Sequence, residues 1–434
     1  MYDLAIMNVR RAGAGGLWNI GIEDGKITEV SPSGSAMPAK ECIEADGLTA
    51  LPGLIDAHVH TRDPGYTYKE DFRSAAEAAA AGGITTIMAM PNSNPPLTNA
   101  AALEFAQACA KKGGIIDIRF VGGAVTAAPS WMRGFEKNNI AAIDVYDDPY
   151  TYGSSYWSKL FLEAKKLGKP LCFYLMDPEI ERRRRAEYSG SGADETEVII
   201  NATNGFTESM SICRIFPMAV YFDCPVVLRM VSTAAALDCI RNMRRMYPTA
   251  RVYVEVCVHY MFLSSGALKI AGSRAHIHPP LRSENDMAAL WEGVKDGTVD
   301  YIASDHAPHA MFEKERNRLS ACASGMTGLE TMLPLLLTAC SQGRIKLEDI
   351  QRLCCESPAR IYRIEDKGRI EAGNAADVVL IDTRRKWKVE ADKLFSRGAP
   401  SPFCGMELTG KPVVTISGGQ KIYDNGMMIL NSKE

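Results

Sequence analysis

Pro52-Gly53-Leu54-Ile55-Asp56-Ala57-His58-Val59-His60 is an apolar run that ends in two histidines two residues apart. It opens a series of eight short apolar runs, at 54–58, 84–90, 117–121, 140–146, 171–175, 225–230, 252–256 and 299–303, most of them separated by helix-length amphipathic stretches. That alternation is the pattern of repeated βα units, in which helices cover both faces of a parallel sheet and leave its strands apolar throughout. Eight such strands predict a closed (β/α)8 barrel of the TIM type. The Ala-rich stretch 69–81 stops at Gly82-Gly83, a pair that ends a helix just before the second run.

Outside the series the period changes to two. Segments 4–9, 18–22 and 26–30 alternate, and Glu23-Asp24-Gly25 is placed to close a hairpin between the last two. Alternation returns at 376–381, 386–389 and 412–417, followed by Gly418-Gly419 and the segment 421–423. The expected organisation is a barrel over 52–364 and one small β-sandwich built jointly from 1–51 and 365–434, since the ends of a domain often lie close together.

Composition narrows the function. The 434 residues carry 49 basic and 52 acidic side chains and are 46% hydrophobic, which excludes disorder and collagen-like repeats and supplies no basic footprint for nucleic acid. The one dense basic run, Arg182 to Arg185, reads as a solvated helix face. The twelve cysteines show no pair at the spacing of a zinc knuckle or redox motif, so buried reduced thiols in a cytoplasmic protein are expected. No signal peptide or run of about 18 apolar residues is present, so no membrane partner is expected; a homo-oligomer is the default for soluble assemblies.

The chemistry concentrates at the ends of the runs. His58 and His60 share one face of a strand and can address one ion from the barrel mouth. Asp305, in Ser304-Asp305-His306-Ala307-Pro308-His309, follows the eighth run, and closure of a barrel sets the eighth strand beside the first. A carboxylate there can bind a metal and shuttle a proton. Asp147-Asp148 at the end of the fourth run offers another carboxylate, or alternatively a turn.

These residues carry a resemblance. The chain resembles the amidohydrolase superfamily, most closely the dihydroorotases of the long bacterial type, through the His-x-His-x-Arg of His58, His60 and Arg62; Asp63-Pro64-Gly65; Met90-Pro91-Asn92; Val231-Ser232-Thr233; Pro279-Pro280-Leu281-Arg282; and Asp305 to His309. The resemblance implies a hydrolase acting on dihydroorotate and N-carbamoyl-aspartate in pyrimidine biosynthesis. One zinc (Zn2+) per chain would be held by His58, His60, an aspartate of the 147–148 pair taken as Asp148, and Asp305, which is also the general base. Arg62, Asn92 and His309 fall where the family grips the substrate, a cyclic amide bearing a carboxylate.

The chain also departs from the family pattern. Tyr174 and Met230 stand where the family places metal-binding histidines on the fifth and sixth strands, so the second metal position is expected to be empty. His278 replaces a substrate-contacting asparagine, and Ala323-Ser324-Gly325-Met326 replaces an expected Pro-Phe-Gly. Two further readings follow from these departures. One is a non-catalytic subunit that associates with aspartate transcarbamoylase; the other is a hydrolase of a different cyclic amide, of hydantoin or allantoin type.

Overall fold

The computed structural model describes residues 1–111, 113–124, 134–135, 140–145 and 154–429. Five strands precede the barrel: β1 (Tyr2–Arg11), β2 (Ala14–Glu23), β3 (Lys26–Pro32), β4 (Ala39–Glu44) and β5 (Thr49–Pro52). Glu23 pairs with Lys26 across a two-residue turn, and Asp24 and Gly25 both take positive φ, at 49° and 72°. Glycine adopts that conformation freely and aspartate tolerates it, which is why this dipeptide closes the hairpin.

The eight apolar runs all become parallel strands: β6 (Leu54–Val59), β7 (Ile84–Ala89), β8 (Asp117–Ala124), β9 (Ala142–Val145), β10 (Leu171–Tyr174), β11 (Val226–Arg229), β12 (Val252–Cys257) and β13 (Tyr301–Ala303). They are hydrogen-bonded in sequence order from β6 to β13. The nearly closed barrel is completed beyond β13, where Val59 bridges His306 and the His60 amide donates to the His306 carbonyl at 2.8 Å. Helices such as Phe72–Ala81, Gly205–Phe222, Ala234–Met246, Glu284–Lys295 and Met332–Ser341 fall between or after these strands and bury apolar faces in one extended core. The predicted stop at Gly82-Gly83 is present. Gly82 caps helix Phe72–Ala81, Gly83 has φ +78°, and a Cβ on Gly82 would lie 2.1 Å from the Leu329 carbonyl oxygen.

After the barrel come β14 (Val378–Lys388), β15 (Glu407–Ser417), β16 (Gln420–Asp424) and β17 (Met427–Met428). Residues 376–381 and 386–389, read as separate segments, fall largely on the single strand β14, interrupted by a register shift between Asp382 and Lys386. β14 pairs antiparallel with β5, so both ends of the chain enter one nine-stranded, mainly antiparallel sheet. Its own core mixes the two ends: Leu4, Ile6, Ile20 and Ile22 pack with Val378, Leu380, Val414 and Ile416.

The arginine run lies on helix Pro178–Gly190, which buries no residue; Arg182 and Arg183 pair with Glu179, Arg185 pairs with Glu181, and Arg184 donates to the Asn201 carbonyl. The cysteines are all free, but only six are buried; Cys42 and Cys213 are exposed and the other four are intermediate. Apolar neighbours along the chain do not report which side of a helix or strand faces solvent. Among the described residues, no helix is long and apolar enough to cross a membrane.

Candidate metal centre

β6 ends at Val59, and the two histidines at the end of this strand turn toward the segment after β13. His58 Nε2 lies 3.4 Å and His60 Nε2 3.2 Å from the same oxygen, Asp305 Oδ1. All three side chains are buried. Donors 2.0–2.1 Å from a tetrahedral zinc sit roughly 3.3 Å apart, so these separations suit one small divalent ion. Two imidazoles and a carboxylate are also a donor set that zinc favours.

The far side of each ring decides which nitrogen is available. His58 Nδ1 lies 2.8 Å from Glu255 Oε1, and His60 Nδ1 lies 2.8 Å from Asn92 Oδ1. In both cases the ring N–H donates to an oxygen, which leaves the lone pair on Nε2 facing Asp305. Burial, with the Arg62 charge nearby, lowers the His60 pKa to about 4, so this ring is neutral in neutral solution. Burial alone would raise the Asp305 carboxyl, but in the acid range where it titrates the charge of His58 and the hydrogen bond and charge of the then-protonated His60 outweigh burial and hold it at about 2. Asp305 is therefore an ionised acceptor at neutral pH.

A second layer of charge supports the centre from inside the barrel. Asp144 on β9, Arg229 on β11 and Glu255 on β12 are fully buried. Arg229 Nε is 3.0 Å from Asp144 Oδ1 and Nη1 is 3.6 Å from Glu255 Oε2. Tyr301 donates to Glu255 Oε2 at 2.6 Å. Burial pushes Asp144 up to about 6, whereas His58 and Arg229 hold Glu255 below its ordinary value against the same effect. Glu255 thus faces His58 with one oxygen and Arg229 and Tyr301 with the other, which leaves the ring little freedom to turn. An amidohydrolase model matches residues 49–422.

The chain belongs to the amidohydrolase family. The dihydroorotase of Geobacter metallireducens is 34% identical over 406 residues, covering 93% of this chain and 94% of that one. The dihydroorotase of Methanothermobacter thermautotrophicus is 33% identical over 431 residues, covering 99% and 96%. Among solved structures, L-hydantoinase (dihydropyrimidinase) from Arthrobacter aurescens matches with a TM-score of 0.93 at 26% identity, covering 99% and 98%.

For this amidohydrolase the remaining candidate residues fall in three places. Arg62 donates from Nε to the Pro308 carbonyl at 3.0 Å, and its Nη2 lies 3.1 Å from His309 Nε2. Burial together with the Arg62 and Lys69 charges pushes His309 down to about 3, so a neutral ring stands between two cations. Ser324, in the departing loop, accepts from His309 Nε2 at 2.9 Å. His278 instead lies 3.4 Å from Glu181 on helix Pro178–Gly190, partly exposed. Asp147 and Asp148 lie outside the described residues.

Tyr174 enters the centre: its hydroxyl is 3.1 Å from His58 Nε2. Met230 is buried and has φ 55°, and Arg62 and Asp305 also take positive φ, at 61° and 46°. Such backbone costs about 1–3 kcal/mol in a residue other than glycine and persists where the surroundings impose it. Here it clusters where strands hand side chains to the mouth.

Two motifs of the resemblance turn out to be mutual supports. Ser232 and Thr233 donate from their backbone amides to Glu208 at 3.2 Å, and Arg282 reaches Ser232 Oγ at 2.9 Å, the Thr203 carbonyl at 2.7 Å and Glu208 at 3.2 Å. Sequence reasoning missed Glu255, Arg229, Asp144 and the buried His259. A signal existed for the first three: a charged residue inside an apolar run of a doubly covered strand must be paired.

Proposed function

We propose that the chain is a metal-dependent cyclic amide hydrolase, most simply a dihydroorotase that interconverts dihydroorotate and N-carbamoyl-aspartate. The observation that supports this reading is the convergence of His58 Nε2, His60 Nε2 and Asp305 Oδ1, with both ring tautomers held by Glu255 and Asn92. These three residues would hold a zinc ion, with Asp148 as the proposed fourth ligand. When bound, the ion supplies a Lewis acid and lowers the pKa of water to near 7.

The chain's own residues divide the remaining work. Asp305, ionised and at the rim, accepts a proton from the attacking water and returns it to the leaving ring nitrogen. Arg62 offers a guanidinium suited to a two-pronged grip on a substrate carboxylate, with His309, Asn92 and His278 as further substrate-facing candidates. Names of the relatives support the cyclic-amide class: dihydroorotases by sequence and a hydantoinase by structure.

The test is a zinc assay on the purified protein together with turnover of five- and six-membered cyclic amides, with and without a carboxylate. Asp305→Asn is expected to leave the fold intact and to lower kcat by about 10²–10⁴-fold, the range for losing a general base. Wild-type turnover in that variant would refute the role.

Tyr174 motivates a second reading. Its hydroxyl stands 3.1 Å from the nitrogen that would bind metal, and a hydrogen bond there competes with an ion. On this reading the chain is a non-catalytic subunit of an assembly such as one with aspartate transcarbamoylase. A folded protein that takes up no metal and hydrolyses no cyclic amide would establish it.

A further inference from the structure

Beyond the triad, a second group of donors meets at Asp305. β12 ends at Cys257, and His259 follows in the short helix Val258–Phe262. A ring nitrogen of His259, Cys257 Sγ and a carboxylate oxygen of Asp305 all lie within 4.8 Å of one another, and all three residues are buried. His259 is 1% exposed, and neither ring nitrogen makes a well-formed hydrogen bond among the described residues, the Ser304 backbone being a polar group within its reach. A buried imidazole without a well-formed hydrogen bond, set within reach of a carboxylate and a thiol, points to a missing ligand.

We propose that Cys257, His259 and Asp305 form a second cation position, for a thiophilic divalent ion of the zinc class, sharing Asp305 with the His58–His60 position. It rests on the preceding reading for that shared carboxylate. The donor chemistry agrees, since a thiolate, an imidazole and a carboxylate are all common zinc ligands. On binding, the Cys257 S–H bond breaks, its sulfur bonds the ion, and the proton passes to solvent. The fifth and sixth strands present Tyr174 and Met230, a phenol and a thioether that serve zinc poorly. The seventh strand and the turn after it would supply what those two have lost. The expected content rises from one ion per chain to two.

The experiment uses the full chain, stripped of metal and reconstituted with zinc or with cobalt(II). Elemental analysis should give two ions per chain in the wild type and one in His259→Gln and in Cys257→Ser. The cobalt form should show a near-ultraviolet thiolate-to-metal charge-transfer absorption that disappears in Cys257→Ser. One ion in the wild type without that absorption overturns this proposal and leaves the first position standing; no ion at all overturns both. Two ions that persist in both variants place the second one elsewhere and also overturn it. The wild-type stoichiometry and spectrum decide the matter even if a variant fails to fold.

Discussion

Asn92 separates two accounts of the same residue. The family resemblance gives it to the substrate, whereas the structure sets its Oδ1 2.8 Å from His60 Nδ1. His60 is only 6% exposed, so in Asn92→Leu its Nδ1–H is left buried without an acceptor. That costs about 1–3 kcal/mol unless the proton moves to Nε2, where it meets Asp305 3.2 Å away and blocks the metal-binding lone pair. Either outcome weakens metal binding. A lost outer partner of a ligating histidine typically lowers affinity 10–100-fold, or about 1.4–2.7 kcal/mol. Zinc affinity measured by competition with a chromogenic chelator should fall by that factor in Asn92→Leu and stay near wild type in Asn92→Asp, which keeps an acceptor. Unchanged zinc affinity accompanied by a raised KM would refute the reasoning and return Asn92 to the substrate.

Two other perturbations test the frame around the site. Burial raises the Glu330 carboxyl from 4.5 to about 7. The native state therefore holds a proton that the unfolded chain releases, and stability falls by about 3 kcal/mol as pH rises from the unfolded value through the folded one. Glu330→Gln should flatten that loss in urea midpoints measured at pH 5 and pH 8; equal slopes in the two proteins would count against it. Arg282→Met removes the cation paired with the buried Glu208 carboxylate and leaves its charge held only by the Ser232 and Thr233 donors, and breaking a buried pair of this kind should cost about 3–5 kcal/mol in chemical denaturation. A change below 1 kcal/mol would show that water or a neighbouring group replaces the guanidinium.

Much of the fold is legible without coordinates. The eight apolar runs, the helix stop at Gly82-Gly83 and the hairpins at Asp24-Gly25 and Gly418-Gly419 each depend on residues adjacent in the chain, through side-chain periodicity and the φ values that glycine permits. Even the approach of Asp305 to His58 and His60 follows from counting eight strands and closing them. The split of 386–389 from 376–381 was less legible, because a register shift interrupts the alternation of one continuous strand.

What holds the site in place belongs to the tertiary structure. His58 and Glu255 are 197 residues apart, and nothing local to either says that one will orient the other. Asp144, Arg229 and Glu255 come from three strands and are tolerable in an apolar interior only because the barrel brings their charges together. Pairing of neighbouring strands gives Asn92 to His60 and brings His259 to Asp305. Periodicity and turn chemistry act over a few bonds and can be read along the chain. The pairing of buried charges and the choice of ring tautomer act across space, and only the folded barrel decides them.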